Sequence, residues 1–250
     1  MQEIIQRAKE KIPSLDSILE EAMRNLEREE IDNRFGEILV YLDKNATEIY
    51  RNNERKAIET LAVEWIEQQK EEIKERLKEM LLEEGWENFV KKAGKLFSEF
   101  GILVQALEKD LGNMRKARGG KTFEKLVINL LKIIGIECEV PKGSIREKLR
   151  RIDIVVPSMD VALKTPDKAF FLACKRTLRE RWKQEVPSSQ PNQRVYLITI
   201  DDELSENKAN EIRDRGLIAF VRDDLKEQKH LLEKPWVRRL RDLPRELRGL

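Results

Sequence analysis

The sequence predicts an α/β protein: a mixed central sheet flanked by helices, preceded by an all-helical region. Three observations carry this. Apolar residues recur three and four apart through roughly the first 110 residues, and short β-prone runs replace that period after Gly112. Glycine is sparse early, with Gly36, Gly85, Gly94 and Gly101 alone before Gly112. Charge also divides. Residues 1–114 hold 18 basic and 26 acidic side chains, a net of −8, whereas residues 115–250 hold 31 and 21, a net of +10. A basic half joined to an acidic half fits a polyanion-binding module beside a solvated or interaction module.

The helical region is read from residues 18–28, 57–69 and 73–82, each with apolar residues on one face and Glu, Lys and Arg between them. Pro13, Ser14 and Asp16 mark a turn and a helix start. Glu83, Glu84 and Gly85 mark a break. Beyond Gly112, residues 121–134 place Phe123, Leu126, Val127, Leu130, Leu131 and Ile134 on one broad helical face, and Gly135 caps it. Residues 136–140, 151–156, 168–174, 194–200 and 216–221 read as strands. Residues 177–185 read as a helix ended by Pro187, and residues 205–215 as a helix capped by Ser205. The arginine-rich residues 236–250 suit one more helix. The expected division is a helical region at 1–111, a core domain at 112–235 and a basic tail at 236–250.

Composition excludes several function classes. No apolar run approaches the roughly 18–20 residues of a membrane span. No secretory signal is visible at the N-terminus, so a cytoplasmic, membrane-free protein is expected. Two cysteines, Cys138 and Cys174, are too few for a disulfide framework or a zinc cluster, and one histidine, His230, excludes a multi-histidine metal site. A catalytic metal would be held mainly by carboxylates, which points to Mg²⁺.

Three residues stand out on that basis. Asp153 lies in an otherwise apolar strand, Lys175 ends the next strand, and Glu124 sits in the helix following Gly119 and Gly120. An aspartate and a lysine converging from adjacent strands meet the needs of metal-assisted phosphodiester hydrolysis. The carboxylate binds Mg²⁺, and the ammonium stabilises developing negative charge or positions water.

The segment 174–184, which opens Cys174-Lys175-Arg176 and carries Arg179-Glu180-Arg181, resembles the catalytic strand-to-helix segment of type II restriction endonucleases of the PD-(D/E)XK superfamily. The likeness is narrower still, to the group of the EcoRII catalytic domain, PspGI and the SsoII and Ecl18kI enzymes, which cut CCWGG or CCNGG sites. Residues 115–124 resemble the basic, glycine-containing start of the helix that bears this group's first acidic residue. The 22-residue separation of Asp153 and Lys175 fits the same group. The resemblance covers roughly residues 112–221. It implies a restriction-endonuclease-like core, with Asp153, Lys175, Glu124 and Glu185 catalytic and Asp153, Glu124 and Glu185 holding Mg²⁺. Glu185 enters because Ser188 stands where the group carries another glutamate. One helical turn would place Glu185 on about the same side. Ala173 offers no acid at the alternative position.

Arginine donates two hydrogen bonds to guanine and glutamate accepts one from cytosine, so Arg179, Glu180 and Arg181 are candidates for reading G·C pairs. Arg115, Lys116, Arg118 and Lys121, with the amides of Gly119 and Gly120 at a helix start, suit a phosphate. The resemblance also implies a pocket for a flipped central base, for which Trp86, Phe89 and Arg76 are candidates, and Trp182 is expected to pack its helix on the sheet. The expected partners are double-stranded DNA and a second copy of the chain in a homodimer. A cognate DNA methyltransferase would share the system without direct contact. The competing readings are a structure-specific repair nuclease on the same core, a catalytically weakened DNA-binding protein, and a helical scaffold that tethers nucleic acid.

Overall fold

The computed structural model describes residues 2–82, 85–179, 182–189 and 193–249, and side chains at 144, 145, 148 and 185 lie outside that description. Backbone contacts divide the chain into two compact units, Met1–Glu21 with Ala46–Arg118, and Ala22–Asn45 with Gly119–Leu250. Six helices come first: α1 (Gln2–Lys9), α2 (Leu15–Ala22), α3 (Arg28–Asn33), α4 (Phe35–Gln68), α5 (Lys70–Leu82) and α6 (Trp86–Ile133). Helices α4 and α6 each contribute residues to both units.

The first unit is helical, as its periodicity predicts. Ser14 starts α2 by accepting a hydrogen bond from the Ser17 amide at 3.1 Å. Ile4, Ala8, Ile12, Leu61, Leu103, Leu107 and Leu111 are buried, and Trp65 packs against Phe100 at 5.4 Å. Arg7–Glu64 and Lys9–Asp110 ion pairs flank this core. Gly85 has φ +102°, a left-handed conformation that suits glycine at the expected break.

The second unit is built on a five-stranded mixed sheet among the described residues: β1 (Ile154–Val156), β2 (Phe170–Cys174), β3 (Arg194–Ile198), β4 (Ile218–Val221) and β5 (Val237–Arg239), in that spatial order. β1 runs antiparallel to β2, and the other three pairings are parallel. The central strands are apolar along nearly their whole length because both faces are covered. The C-terminal part of α6 presents the predicted face, with Phe123, Leu126, Val127, Leu130, Leu131 and Ile134 all buried. The remaining helices are short: α7 (Gly143–Lys148), α8 (Met159–Lys164), α9 (Trp182–Glu185), α10 (Glu206–Asp214), α11 (Asp223–Lys226), α12 (Lys229–Leu232) and α13 (Leu243–Arg248). Ser205 caps α10 as expected, accepting from the Lys208 amide.

Four local expectations are corrected. Residues 136–140 make one isolated bridge, Glu139 to Val155, instead of a strand. The basic tail supplies the expected helix, α13, but also the fifth strand, where Val237–Arg239 pairs with β4; Leu240, Leu243 and Leu247 are buried, and the arginine content masked this apolar spacing. Of the helix expected over 177–185, residues 177–179 are not helical and Trp182–Glu185 are. The Leu178 amide donates to Asp201 Oδ2 at 2.5 Å and its carbonyl accepts from Lys208 Nζ at 2.6 Å, so side chains occupy groups a helical turn would need. Finally, no helix starts near Gly119. α6 runs unbroken through Gly112, Gly119 and Gly120, despite a cost of about 1 kcal/mol per interior glycine.

Among the described residues no helix is long and apolar enough to cross a membrane.

Candidate active site

Asp153 directly precedes β1. Its amide donates to the Leu172 carbonyl at 2.9 Å, and its own Oδ2 accepts from the Cys174 amide at 2.7 Å. The carboxylate therefore continues the β1–β2 ladder past the last strand residue and is pinned at the C-terminal end of β2. Lys175 is next along β2, and its amide donates to the Ile198 carbonyl at 2.8 Å, continuing the parallel ladder on the other side. Strand pairing alone thus brings Asp153 and Lys175 to one end of the sheet. Both side chains are half-buried.

Glu124 reaches the same place from α6. Its Oε1 lies 3.9 Å from where a Cβ on Gly120 would stand, so the side chain leans back one turn toward the helix N-terminus. Burial raises the Glu124 carboxyl pKa first, and Asp153 raises it further; Lys175, Arg146 and Lys121 act in the opposite sense. Glu124, Asp153 and Lys175 therefore share one electrostatic neighbourhood. Cys174 lies within it, wholly buried, and burial with the Asp153 and Glu124 charges pushes its thiol well above the usual range. That sulfur stays protonated and is no nucleophile.

A buried carboxylate whose proton affinity a neighbouring carboxylate raises makes a site that a cation would relieve. Hard oxygen donors suit Mg²⁺, which commonly takes one or two carboxylates and completes its shell with water and phosphate. Glu124 and Asp153 fit that description. Among the described residues no group of three or more His, Cys, Asp or Glu converges, and the Glu185 side chain lies outside them. α9 ends at Glu185, leaving Ser188 exposed in coil. The helical-turn relation between Glu185 and Ser188 is therefore absent.

The expected DNA-contact residues belong to both units. Arg179 is exposed, its carbonyl accepting from the amide of Trp182, the first residue of α9, at 2.9 Å. Glu180 and Arg181 lie outside the described residues. Trp182 is buried under the Arg215 guanidinium, as expected of a packing residue. Lys116 is exposed on α6. Arg115 is held by Glu54 at 2.6 Å and by Glu108; Arg118 donates to the Pro13 carbonyl at 2.9 Å and lies over the Tyr50 ring. The amides of Gly119 and Gly120 belong to a helix interior, so the expected helix-start phosphate cradle is not formed. Trp86 is exposed and stacks on Phe89 at 5.3 Å, while Arg76 makes a two-bond pair with Glu99 at 2.7 and 2.8 Å.

Sequence reasoning missed the support beneath Lys175. Asp43, on α4 and 3% exposed, takes both Nε (2.9 Å) and Nη2 (2.7 Å) of Arg176 on its Oδ2. Thr199 Oγ1 donates to the Arg176 carbonyl, and Asp201 holds the Leu178 amide. The turn after the lysine is fixed from three directions. A burial pattern in α4 with an aspartate among apolar neighbours was the available signal, but nothing local pointed to a partner 133 residues away.

Known proteins resemble this chain in sequence and in fold. The family described as EcoRII C terminal matches residues 69–243. The type II restriction enzyme SsoII of Shigella sonnei is 29% identical over 126 residues, 46% of this chain and 41% of that protein. An uncharacterised protein of the DsaVM 5′ region of Dactylococcopsis salina is 35% identical over 69 residues, 27% of this chain and 58% of that protein. These matches span about half the length of those two relatives. Metal-depleted Ecl18kI in complex with uncleaved DNA superposes with a TM-score of 0.74 at 18% identity, covering 99% of this chain and 83% of that one. The PspGI–substrate DNA complex superposes with a TM-score of 0.63 at 20% identity, covering 96% and 93%. At such identities the structures speak for the fold.

Proposed function

The chain belongs to the EcoRII C-terminal family, and from that premise we propose that it is a Mg²⁺-dependent type II restriction endonuclease. Its substrate is double-stranded DNA carrying a short GC-rich palindrome of the CCWGG or CCNGG kind. The observation that carries this reading is the convergence of Glu124, Asp153 and Lys175 at the end of β2.

In this reading Asp153 and Glu124 would hold the metal, with Glu185 as a third carboxylate. The chemistry that Mg²⁺ supplies when bound is Lewis-acid activation of phosphate and water. Asp153 is oriented by the Cys174 amide, which holds its Oδ2 at the end of β2. The Lys175 ammonium stabilises the charge that accumulates on the non-bridging phosphate oxygens as water adds to phosphorus and the P–O ester bond breaks. The fixed turn after Lys175 keeps that ammonium from swinging away. Arg179, with Glu180 and Arg181, reads G·C edges in the major groove, and Lys116 contributes phosphate attraction.

A palindromic site calls for two symmetric active sites, so the working form is a homodimer. Exposed Leu81, Leu82, Trp86, Phe97 and Ile102 in the helical unit support an association surface. A DNA methyltransferase protecting the same sites completes the system without touching this chain.

Incubating the protein with plasmid DNA and Mg²⁺, then sequencing the fragment ends, tests the proposal. Discrete ends at one GC-rich palindrome are expected. Binding without cutting would favour the catalytically weakened DNA-binding reading, which the coil position of Ser188 makes the chief competitor. Cutting without sequence preference would favour a structure-specific nuclease.

A further inference from the structure

Many arginines among the described residues are committed to carboxylates, such as Arg76, Arg115, Arg176, Arg222 and Arg248. Arg146, Arg150 and Arg151 are different. All three are exposed, and among the described residues none has an ion-pair partner. They line one open crevice of about 560 Å³ together with Gly143 and Glu147. Three guanidiniums against one carboxylate leave it strongly positive.

Two further observations place this crevice beside the site already described. Arg151 lies two residues before Asp153, on the segment that enters β1. Arg146 is close enough to Glu124 to oppose the rise in its proton affinity. Arg151 also has φ +73°, a left-handed backbone that side chains larger than asparagine adopt at a steric cost. Glycine or asparagine would satisfy that turn more cheaply. An exposed arginine held there has its use in the side chain.

We propose that Arg146, Arg150 and Arg151 form a binding site for the phosphodiester backbone of the DNA strand, leading it to Glu124 and Asp153. Guanidinium forks match phosphate oxygens in pairs, and a row of them tracks successive phosphates without reading bases. Glu147 repels phosphate and so confines it to the arginine side of the crevice. The inference rests on the nuclease reading, and it names contacts that the basic run at 115–121 was expected to supply.

The test is a duplex-binding titration of the full chain in EDTA at several salt concentrations, on one duplex carrying the cleavage site and one scrambled. Each is run with wild type, R146Q/R150Q/R151Q and R146K/R150K/R151K. The glutamine variant is expected to lose roughly 2–3 units of the log K against log salt slope, about one per phosphate contact, and equally on both duplexes. The lysine variant should recover most of the slope, because it keeps charge while losing the fork. Circular dichroism confirms that the variants fold. A glutamine variant with wild-type slope and affinity would overturn the proposal, as would a loss confined to the specific duplex, which would mark base readout. Failure of wild type to bind either duplex would instead remove the nuclease reading itself.

Discussion

The perturbed carboxylates of the two compact units differ in kind, Asp224 beside Arg222 apart. In the helical unit basic side chains stabilise them. Glu71 is held below the usual carboxylate range by Lys74, and Glu99 by Arg76, all on exposed helix surface. In the sheet-bearing unit several acids are held against their own preference. Burial pushes up Glu124, Asp43 and Asp223, and Asp153 adds to the effect on Glu124. Solvated pairs cost a fold nothing and do nothing further. Acids forced together at the end of a sheet are destabilising unless something else uses them, which is why perturbed clusters mark functional sites.

The largest expected effect breaks that comparison at its centre. Asp153→Asn keeps an oxygen to accept the Cys174 amide while removing the charge, so the fold is retained. Plasmid cleavage with Mg²⁺ should fall by at least about 10²–10³-fold, and Lys175→Ala should match it. Asp153→Ala is a poorer probe, since it also orphans the Cys174 amide at a cost of about 1–3 kcal/mol. Near-wild-type cutting by Asp153→Asn or Lys175→Ala would dismiss this cluster as the site.

A smaller effect concerns the third acid. Glu185→Gln should lower cleavage by about 10–100-fold, and Ser188→Glu should change little, because Ser188 lies in exposed coil past the end of α9. The reverse pattern, a silent Glu185→Gln with a gain from Ser188→Glu, would show that the displaced glutamate has no role.

The pair beneath Lys175 sharpens the comparison through an asymmetry. Arg176→Ala leaves Asp43 buried without its cation and should cost about 2–3 kcal/mol, toward the low end for such pairs because Arg176 is half-exposed. Asp43→Ala leaves a guanidinium that water can solvate and should cost about 1 kcal/mol. In Arg176→Ala the Asp43 carboxyl keeps a raised folded-state pKa, so the deficit grows as pH rises through it and is least in acid. Urea unfolding at two pH values decides this; equal costs for the two variants would mean the pair is solvated. Asp43→Asn should also slow turnover about tenfold with little change in duplex affinity, since a small displacement of Lys175 acts on chemistry.

Much of this was legible in the sequence where the signal is local. The apolar face of 121–134, the serine cap of α10 and the Asp153–Lys175 pairing all follow from periodicity or from adjacent strands. The failures are tertiary. The tail strand was hidden because Arg238 and Arg239 sit in a segment whose apolar residues are spaced for a sheet edge and a short helix together. The unbroken α6 defied its glycines because buried apolar contacts on one face outweigh their propensity cost. Asp43 could be seen as anomalous in a helix core, but its partner arrives only with the fold. Arg115 looked available for phosphate until Glu54 and Glu108 claimed it.

The smallest expected effect is also the most discriminating. Glu124 has a folded-state pKa above its unfolded value. Such a group favours the folded state below the unfolded pKa, and that contribution is lost as pH rises through the folded pKa. At neutral pH without metal the native chain therefore carries a penalty that Glu124→Gln removes. The variant should be more stable there by about 1 kcal/mol, or roughly 2–4 °C in Tm for a chain of this size. At about pH 3, where the carboxyl is protonated in both states, the difference should vanish. Adding Mg²⁺ should then reverse the order at neutral pH, because only the native site gains the free energy of binding the ion. Thermal unfolding in EDTA and in Mg²⁺ at two pH values reads all three outcomes. A Glu124→Gln variant less stable than wild type in EDTA at neutral pH would show that Glu124 serves the fold, and absence of the reversal would show that its strain is not relieved by a metal.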